Sequence, residues 1–225
     1  MKIVKPGKNE TFDIELEEDL LKQNRVLAEK NRIRFDQYHV HAIDVLGSIG
    51  SGKTTIIGQV VKELKGRYRI AAIAGDLTTT IDAARIQDKG AIVIQANTGK
   101  ECHLDANLVL KALNELNLED LDLVLIENVG NLICPGEFPL GAHQRMVVVS
   151  TTEGPYMIVK HPYILLESSV LVINKIDLAQ AMEVDIHQLR EDALNIKPDL
   201  KVVFANGRRG EGIQDLIEAL NLSGE

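Results

Sequence analysis

Gly47-Ser48-Ile49-Gly50-Ser51-Gly52-Lys53-Thr54 fits the pattern GxxxxGK[ST], and it lies between an apolar run, Val40–Leu46, and an amphipathic stretch beginning at Lys53. A strand, a glycine-rich turn and a helix in that order form a phosphate loop. The glycines let successive backbone N–H groups turn inward around phosphate oxygens, and the helix adds the positive end of its dipole. Gly47, Ser48, Gly50, Ser51 and Gly52 are therefore expected to cradle a nucleotide, with Thr55 beside them. Lys53 would reach the terminal phosphates, and the Thr54 hydroxyl would ligate Mg²⁺.

Strands and helices alternate outward from this loop. Apolar runs at Val40–Leu46, Arg69–Ala74, Ala91–Gln95, Leu121–Glu127, Met146–Ser150, Ser169–Asn174 and Lys201–Phe204 read as seven strands. Helical patterns fall at Lys53–Lys65, Thr80–Lys89, Leu104–Leu116, 183–195 and 212–220. Such alternation predicts a three-layer α/β P-loop NTPase fold with a mostly parallel seven-stranded sheet. Aromatic residues are 4 % of the chain and Trp is absent, so the core is expected to be aliphatic. Residues 1–14 lack periodicity and read as a lead-in. Leu16, Leu20, Leu21, Val26, Leu27 and Ile33 then suggest a partly amphipathic helix, giving a division into an N-terminal extension, 1–35, and a nucleotide domain, 36–225.

Composition excludes several function classes. The formal charge of −8 disfavours nucleic-acid binding, which needs clustered Lys and Arg. No apolar run approaches the roughly 18 residues of a membrane span. The opening MKIVKPGKNETF has no apolar h-region, so a cytoplasmic location is expected, where Cys102 and Cys134 would be free thiols.

Asn174-Lys175-Ile176-Asp177 follows an apolar strand well downstream of the phosphate loop. An ionised Asp is acceptor-only, so Asp177 can take both N1–H and the exocyclic amine of guanine, which adenine does not present together. The Lys175 stem can cover the base, Asn174 can tie this loop to the phosphate loop, and Asn206 after the last strand can place backbone groups near the base. These features point to GTP and GDP. Asp76 and Glu127 end strands and are candidates for holding Mg²⁺ and, with Asp82, for orienting the attacking water. Gly130 resembles the glycine whose N–H senses the γ-phosphate in switch loops. No Gln occupies the switch position, so intrinsic hydrolysis is expected to be slow.

Glu101-Cys102-His103 and Cys134-Pro135 both fall on the carboxyl side of the sheet. Thiolate and imidazole suit Zn²⁺ and Ni²⁺, but three ligands leave a tetrahedral site incomplete, so water or a second copy of the chain would complete it. The bland alternative is that the cysteines are small buried fillers. His39 and His41 read as surface residues, and His143 and His161 carry no assignment.

Taken together, the segments Gly47–Thr55, Gly75–Arg85, Asn97–Leu104, Glu127–Pro135, Ser150–Gly154 and Asn174–Leu178 resemble the hydrogenase nickel-insertion GTPases of the HypB family, in the SIMIBI class. NTGKECHLDA and IENVGNLICP are the most specific stretches. The resemblance implies a GTPase that dimerises when GTP or metal binds. It implies a Ni²⁺ or Zn²⁺ site at the dimer interface, to which Cys102, His103 and Cys134 match. It implies nickel delivery to the [NiFe] hydrogenase large subunit with a small zinc-containing maturation partner. The urease relatives carry Cys-Pro-His, whereas here Cys102 and His103 are adjacent, which favours the hydrogenase branch. Two departures stand out. Neither an N-terminal cysteine-rich nickel motif nor a His-rich tract is present, and Pro155-Tyr156-Met157-Ile158-Val159 replaces the family's acidic and lysine residues. The competing readings are a regulatory GTPase without metal, a urease-type nickel GTPase, a phosphotransferase and a nucleotide-dependent scaffold.

Overall fold

The computed structural model describes residues 14–76, 79–99 and 101–223, with side chains from Asp19 onward except those of Cys134 and Pro135. The reading of residues 1–13 as a lead-in lies outside the described residues.

Helix α1 spans Ile14–Gln37. The alternation then runs β1 (His41–Leu46), α2 (Lys53–Leu64), β2 (Ile70–Asp76), α3 (Ile81–Gln87), β3 (Ile92–Asn97), α4 (Ala106–Asn114) and β4 (Leu123–Glu127). It continues with α5 (Cys134–Glu137), β5 (Gln144–Ser150), α6 (Met157–Lys160), α7 (Tyr163–Leu166), β6 (Val170–Asn174), α8 (Ile186–Ile196), β7 (Lys201–Ala205) and α9 (Ile213–Ala219). The seven strands lie in the order β3-β2-β4-β1-β5-β6-β7. Every adjacent pair is parallel.

Successive residues of a strand point to opposite faces, so a buried parallel strand must be apolar on both. Ile43 and Val45 of β1 pack with α2 and α9 on one face, together with Leu123 and Leu125 of β4 and Met146 and Val148 of β5. The other face splits in two. Val124 and Ile126 meet Phe35 of α1 and Val109 and Leu113 of α4. Val147, Val149, Leu171 and Ile173 meet Ile164 of α7 and Leu189 of α8. The core is aliphatic, as composition required.

Helix α1 buries a different stripe from the one its leucines suggest. Asn24, Ala28, Asn31 and Phe35 are buried, at i, i+4, i+7 and i+11, while Leu20, Val26 and Ile33 are more than half exposed. The asparagines dock α1 through hydrogen bonds. Asn31 Nδ2 donates to the Ala106 and Leu140 carbonyls at 2.8 and 3.1 Å, and Asn24 Oδ1 accepts from the Ala106 N–H at 2.7 Å. The first turn of α4 has no intrahelical acceptor for that N–H, so the Asn24 side chain supplies one. His41, expected at the surface, is half-buried and stacks on His143 with ring centroids 5.0 Å apart. His143 Nδ1 in turn accepts the Ala42 N–H at 3.0 Å.

The chain moves outward from β1 to β2 and β3, returns to β4, and crosses to β5 on the other side of β1. The carboxyl end of β1 is therefore a topological switch point, where open α/β sheets bind ligands.

Candidate functional site

The loop 47–52 leaves β1 at that switch point and runs into α2, whose first residue is Lys53. Gly52 caps the helix at φ 102°, and a Cβ there would collide with Asn174 Nδ2, so glycine is required on both conformational and steric grounds. The Lys53 ammonium donates to the Gly47 and Ser48 carbonyls at 2.9 and 3.1 Å. Burial lowers its pKa, and Glu127, Asp82 and Glu153 pull the other way. A cleft of about 400 Å³ opens over the loop, lined also by Asp76, Asp82, Arg85, Glu127, Gly130 and Lys175.

Thr54 Oγ1 donates to Glu127 Oε1 at 2.6 Å, and Glu127 Oε2 is buried without a hydrogen-bond partner. Asp76 Oδ1 accepts the Thr79 N–H at 2.7 Å at the rim of the same cleft. A hydroxyl beside a carboxylate with an unused oxygen is the hard donor set that Mg²⁺ takes, so these residues fit that ion. Burial pushes the Glu127 carboxyl up to about 7, with the Thr54 hydrogen bond and Lys53 opposing it. The folded protein therefore holds this proton to a higher pH than the unfolded chain, whose carboxyl titrates near 4.5. The resulting stability is full below the unfolded value and lost as pH rises through about 7. In metal-free protein, Glu127→Gln is expected to remove a pH-dependent loss on the order of 3 kcal/mol. Thermal melts at about pH 5 and about pH 8 test this, and equal slopes for wild type and variant would refute it.

Asn174 joins three loops. Its Nδ2 donates to the Ser51 carbonyl at 2.9 Å, and its Oδ1 accepts the Gly207 N–H at 3.0 Å. Lys175 sits in the left-handed region at φ 59°, a conformation that costs a non-glycine residue about 1–3 kcal/mol. It is held there from two sides. The Thr151 hydroxyl donates to its carbonyl at 2.8 Å, and its ammonium donates to Thr152 Oγ1 at 3.1 Å. Asp177 follows, itself exposed, in a single 3₁₀ turn, Ile176–Leu178, with no hydrogen-bond partner among the described residues. Asn206 is buried, and its backbone and side-chain oxygens organise its own turn by accepting the Arg209 N–H. Gly207, one residue on, makes the contact with Asn174.

Asp82, a candidate for orienting water, is paired with Arg85 at 3.1 Å. Arg85 was not singled out from sequence. It also donates to Thr55 Oγ1 at 2.9 Å and brings a guanidinium to the phosphate end of the cleft. Glu153 was also missed. It closes the turn after β5 by accepting the Ser150 N–H at 3.0 Å, and burial raises its pKa. Its position three residues past the end of apolar β5, on the side of the sheet where Glu127 ends β4, was the available signal. Gly130 packs on the phosphate loop itself, since a Cβ there would lie 2.5 Å from Ile49 Cγ1.

Cys102 is exposed, which removes the buried-filler reading for that residue. Its sulfur lies 3.8 Å from His103 Nδ1. The His103 ring stacks on Phe138 at 3.9 Å, and burial lowers its pKa, favouring the neutral imidazole that a metal needs. Cys134 is the first residue of α5. Among the described residues no group of three or more His, Cys, Asp or Glu side chains is gathered to hold a metal ion. Among the described side chains, Cys102 and His103 stand together without a third such group beside them.

Comparison with known proteins follows the same lines. Residues 41–204 match the CobW/HypB/UreG nucleotide-binding domain family. The probable hydrogenase maturation factor HypB of Methanocaldococcus jannaschii is 49 % identical over 210 residues, spanning 93 % of this chain and 95 % of that one. The HypB of Rhizobium leguminosarum is 38 % identical over 218 residues, spanning 97 % and 73 %. Among solved structures, HypB from Archaeoglobus fulgidus superposes with a TM-score of 0.83 at 39 % identity, covering 89 % of this chain and 98 % of that one. HypB from Helicobacter pylori, solved in complex with nickel, gives 0.83 at 29 % identity, with coverage of 88 % and 94 %. The signal recognition particle receptor FtsY of Elizabethkingia anophelis shares the fold alone, at 0.56 and 18 %. With the phosphate loop, the NKxD turn and the Cys-His loop on one edge of a seven-stranded parallel sheet, this chain belongs to the CobW/HypB/UreG family and, within it, to the HypB hydrogenase maturation factors.

Proposed function

We propose that the chain binds and hydrolyses GTP, and that nucleotide state governs a Ni²⁺ or Zn²⁺ cargo held by Cys102, His103 and Cys134. The observation that carries this reading is the adjacency of the two sites. β4 ends in Glu127 at the Thr54 hydroxyl, and the same segment runs directly on to Cys134. The division into a GTPase domain, 36–225, and an N-terminal lead-in and helix, 1–35, belongs to this proposal.

In the proposed cycle, backbone N–H groups of residues 47–54 and the Lys53 ammonium bind the phosphates. Thr54, Asp76 and Glu127 would hold Mg²⁺, which would neutralise charge developing on the β- and γ-oxygens. Asp177 accepts from the guanine edge, and the Lys175 stem lies over the base. The acids Asp82 and Glu127 are the groups available to orient water. Cys102 and His103 supply two soft or borderline ligands, and Cys134 with a second copy of the chain completes the set. A cytoplasmic homodimer would form when GTP or metal binds, and it would pass nickel to the hydrogenase large subunit with a small zinc-containing partner. No described helix is long and apolar enough to cross a membrane.

Titrating Ni²⁺ into wild type and Cys102→Ala, each loaded with GDP or a non-hydrolysable GTP analogue, tests the cargo reading. About one ion per two chains is expected for wild type, with loss of binding in the variant. Equal, weak binding by both proteins in both states would leave a GTPase without a metal role.

A further inference from the structure

The seven residues Glu127–Ile133 touch every part that such a cycle must connect. Glu127 takes the Thr54 hydroxyl. Asn128 is 1 % exposed and is anchored by its N–H to the Val45 carbonyl at 3.1 Å. Its Oδ1 accepts two N–H groups at 3.0 Å, from Val129 and from Leu104, the residue after His103. Its Nδ2 reaches buried Asp44 at 3.4 Å. Asp44 pairs with buried Arg145 at 3.1 Å, and Arg145 donates to the Gly136 carbonyl, two residues past Cys134, at 3.1 Å. Three residues on, Asn131 bridges to Gly47 of the phosphate loop through its backbone. Its Nδ2 donates to the Cys102 carbonyl at 3.4 Å, and its Oδ1 accepts the Ile133 N–H at 3.0 Å, directly before Cys134.

We infer that Asn131 and Asn128 are positioning residues that make the relative placement of the Cys102–His103 and Cys134 loops depend on the state of the phosphate loop. Asn131 works from the surface side and Asn128 through the buried Asp44–Arg145 pair. The inference rests on the proposed nucleotide and cargo sites and assigns the groups that couple them. Hydrogen bonds have narrow geometric tolerance, so a shift of Gly47 or Glu127 that moves the segment must move both thiol-bearing loops or break these bonds. An apolar contact would absorb such a shift. Coupling of this kind is a free energy between two ligands and is reciprocal.

The test is the ratio of Ni²⁺ affinities of the full chain in its GDP-loaded and GTP-analogue-loaded states. Wild type is expected to differ between states by at least about fivefold. Asn131→Ala removes both side-chain bonds. Asn131→Asp keeps the acceptor for Ile133 and loses the donor to Cys102. Both variants are expected to bring the ratio within about twofold of unity while nucleotide affinity stays within about threefold of wild type. A merely structural role would lower Ni²⁺ affinity equally in both states and leave the ratio intact. Asn131 is only half-buried, and thermal melts check that its variants fold. The Asn128 arm is read in wild type, where amide exchange at Leu104 is expected to change about tenfold between nucleotide states. An unchanged ratio in both variants, or a wild-type ratio of one with Leu104 exchange insensitive to nucleotide, overturns the inference. A wild type that binds neither guanine nucleotide nor nickel removes the proposed function and this inference with it.

Discussion

Lys53→Met is expected to lower GTP turnover by about 10³-fold, the scale seen when one preorganised transition-state donor is removed. Methionine keeps most of the volume and the apolar stem but carries no charge and no donor. The loop's N–H groups and the α2 dipole remain, so GDP binding should fall much less than turnover. The fold should survive. The Gly47 and Ser48 carbonyls lose their donor, which costs about 1–3 kcal/mol, but the burial of an ammonium is relieved at the same time. Single-turnover phosphate release, with GDP affinity and a thermal melt beside it, checks this. Turnover within about tenfold of wild type would remove Lys53 from the catalytic role.

Asp177→Asn is expected to weaken GTP binding at least about 100-fold and to erase discrimination against ATP. A site built on hydrogen bonds loses far more than one contact when a paired group is left opposite the wrong partner. Asparagine turns an acceptor-only group into one that presents two N–H donors, and guanine offers donors at N1 and at its exocyclic amine. Either donors face donors, or the amide oxygen satisfies one of them alone. Asp177 lies exposed in a one-turn 3₁₀ segment without a hydrogen-bond partner among the described residues, so the substitution should leave stability unchanged. Calorimetric titration with both nucleotides reads the outcome. Retained discrimination would move base recognition to the Asn206–Gly207 turn.

The five inner strands were legible because each is an apolar run buried largely on both faces, and the edge strands β3 and β7, though partly exposed, carry the same apolar runs. Short elements inside the loops were not. Helices α6 and α7 occupy a stretch, 155–166, whose apolar residues are too closely spaced to separate one-turn helices from a loop. Helix α1 was found, and its buried face was misassigned. Apolar periodicity was the only signal in the sequence, whereas two asparagines satisfying α4 and the 139–140 loop set the docking. The partners of Asn31 lie 75 and 109 residues away, and no local pattern announces them.

The sequence by itself determined the chemistry available. Gly47–Thr54 and Asn174–Asp177 are local motifs in which backbone conformation and side-chain type act over a few residues, so reading them required no knowledge of the fold beyond strand, turn and helix. Only the tertiary structure decided how those groups are tuned and joined. Glu127 holds its proton to about pH 7 because folding strips water from it. Arg85 reaches Thr55 across 30 residues, and Asn131 reaches the Cys102 carbonyl across 29. Burial and long-range hydrogen bonding are properties of the packed chain. They depend on which distant segments the sheet order places side by side, and the order β4-β1-β5 at the switch point makes one segment the neighbour of both sites.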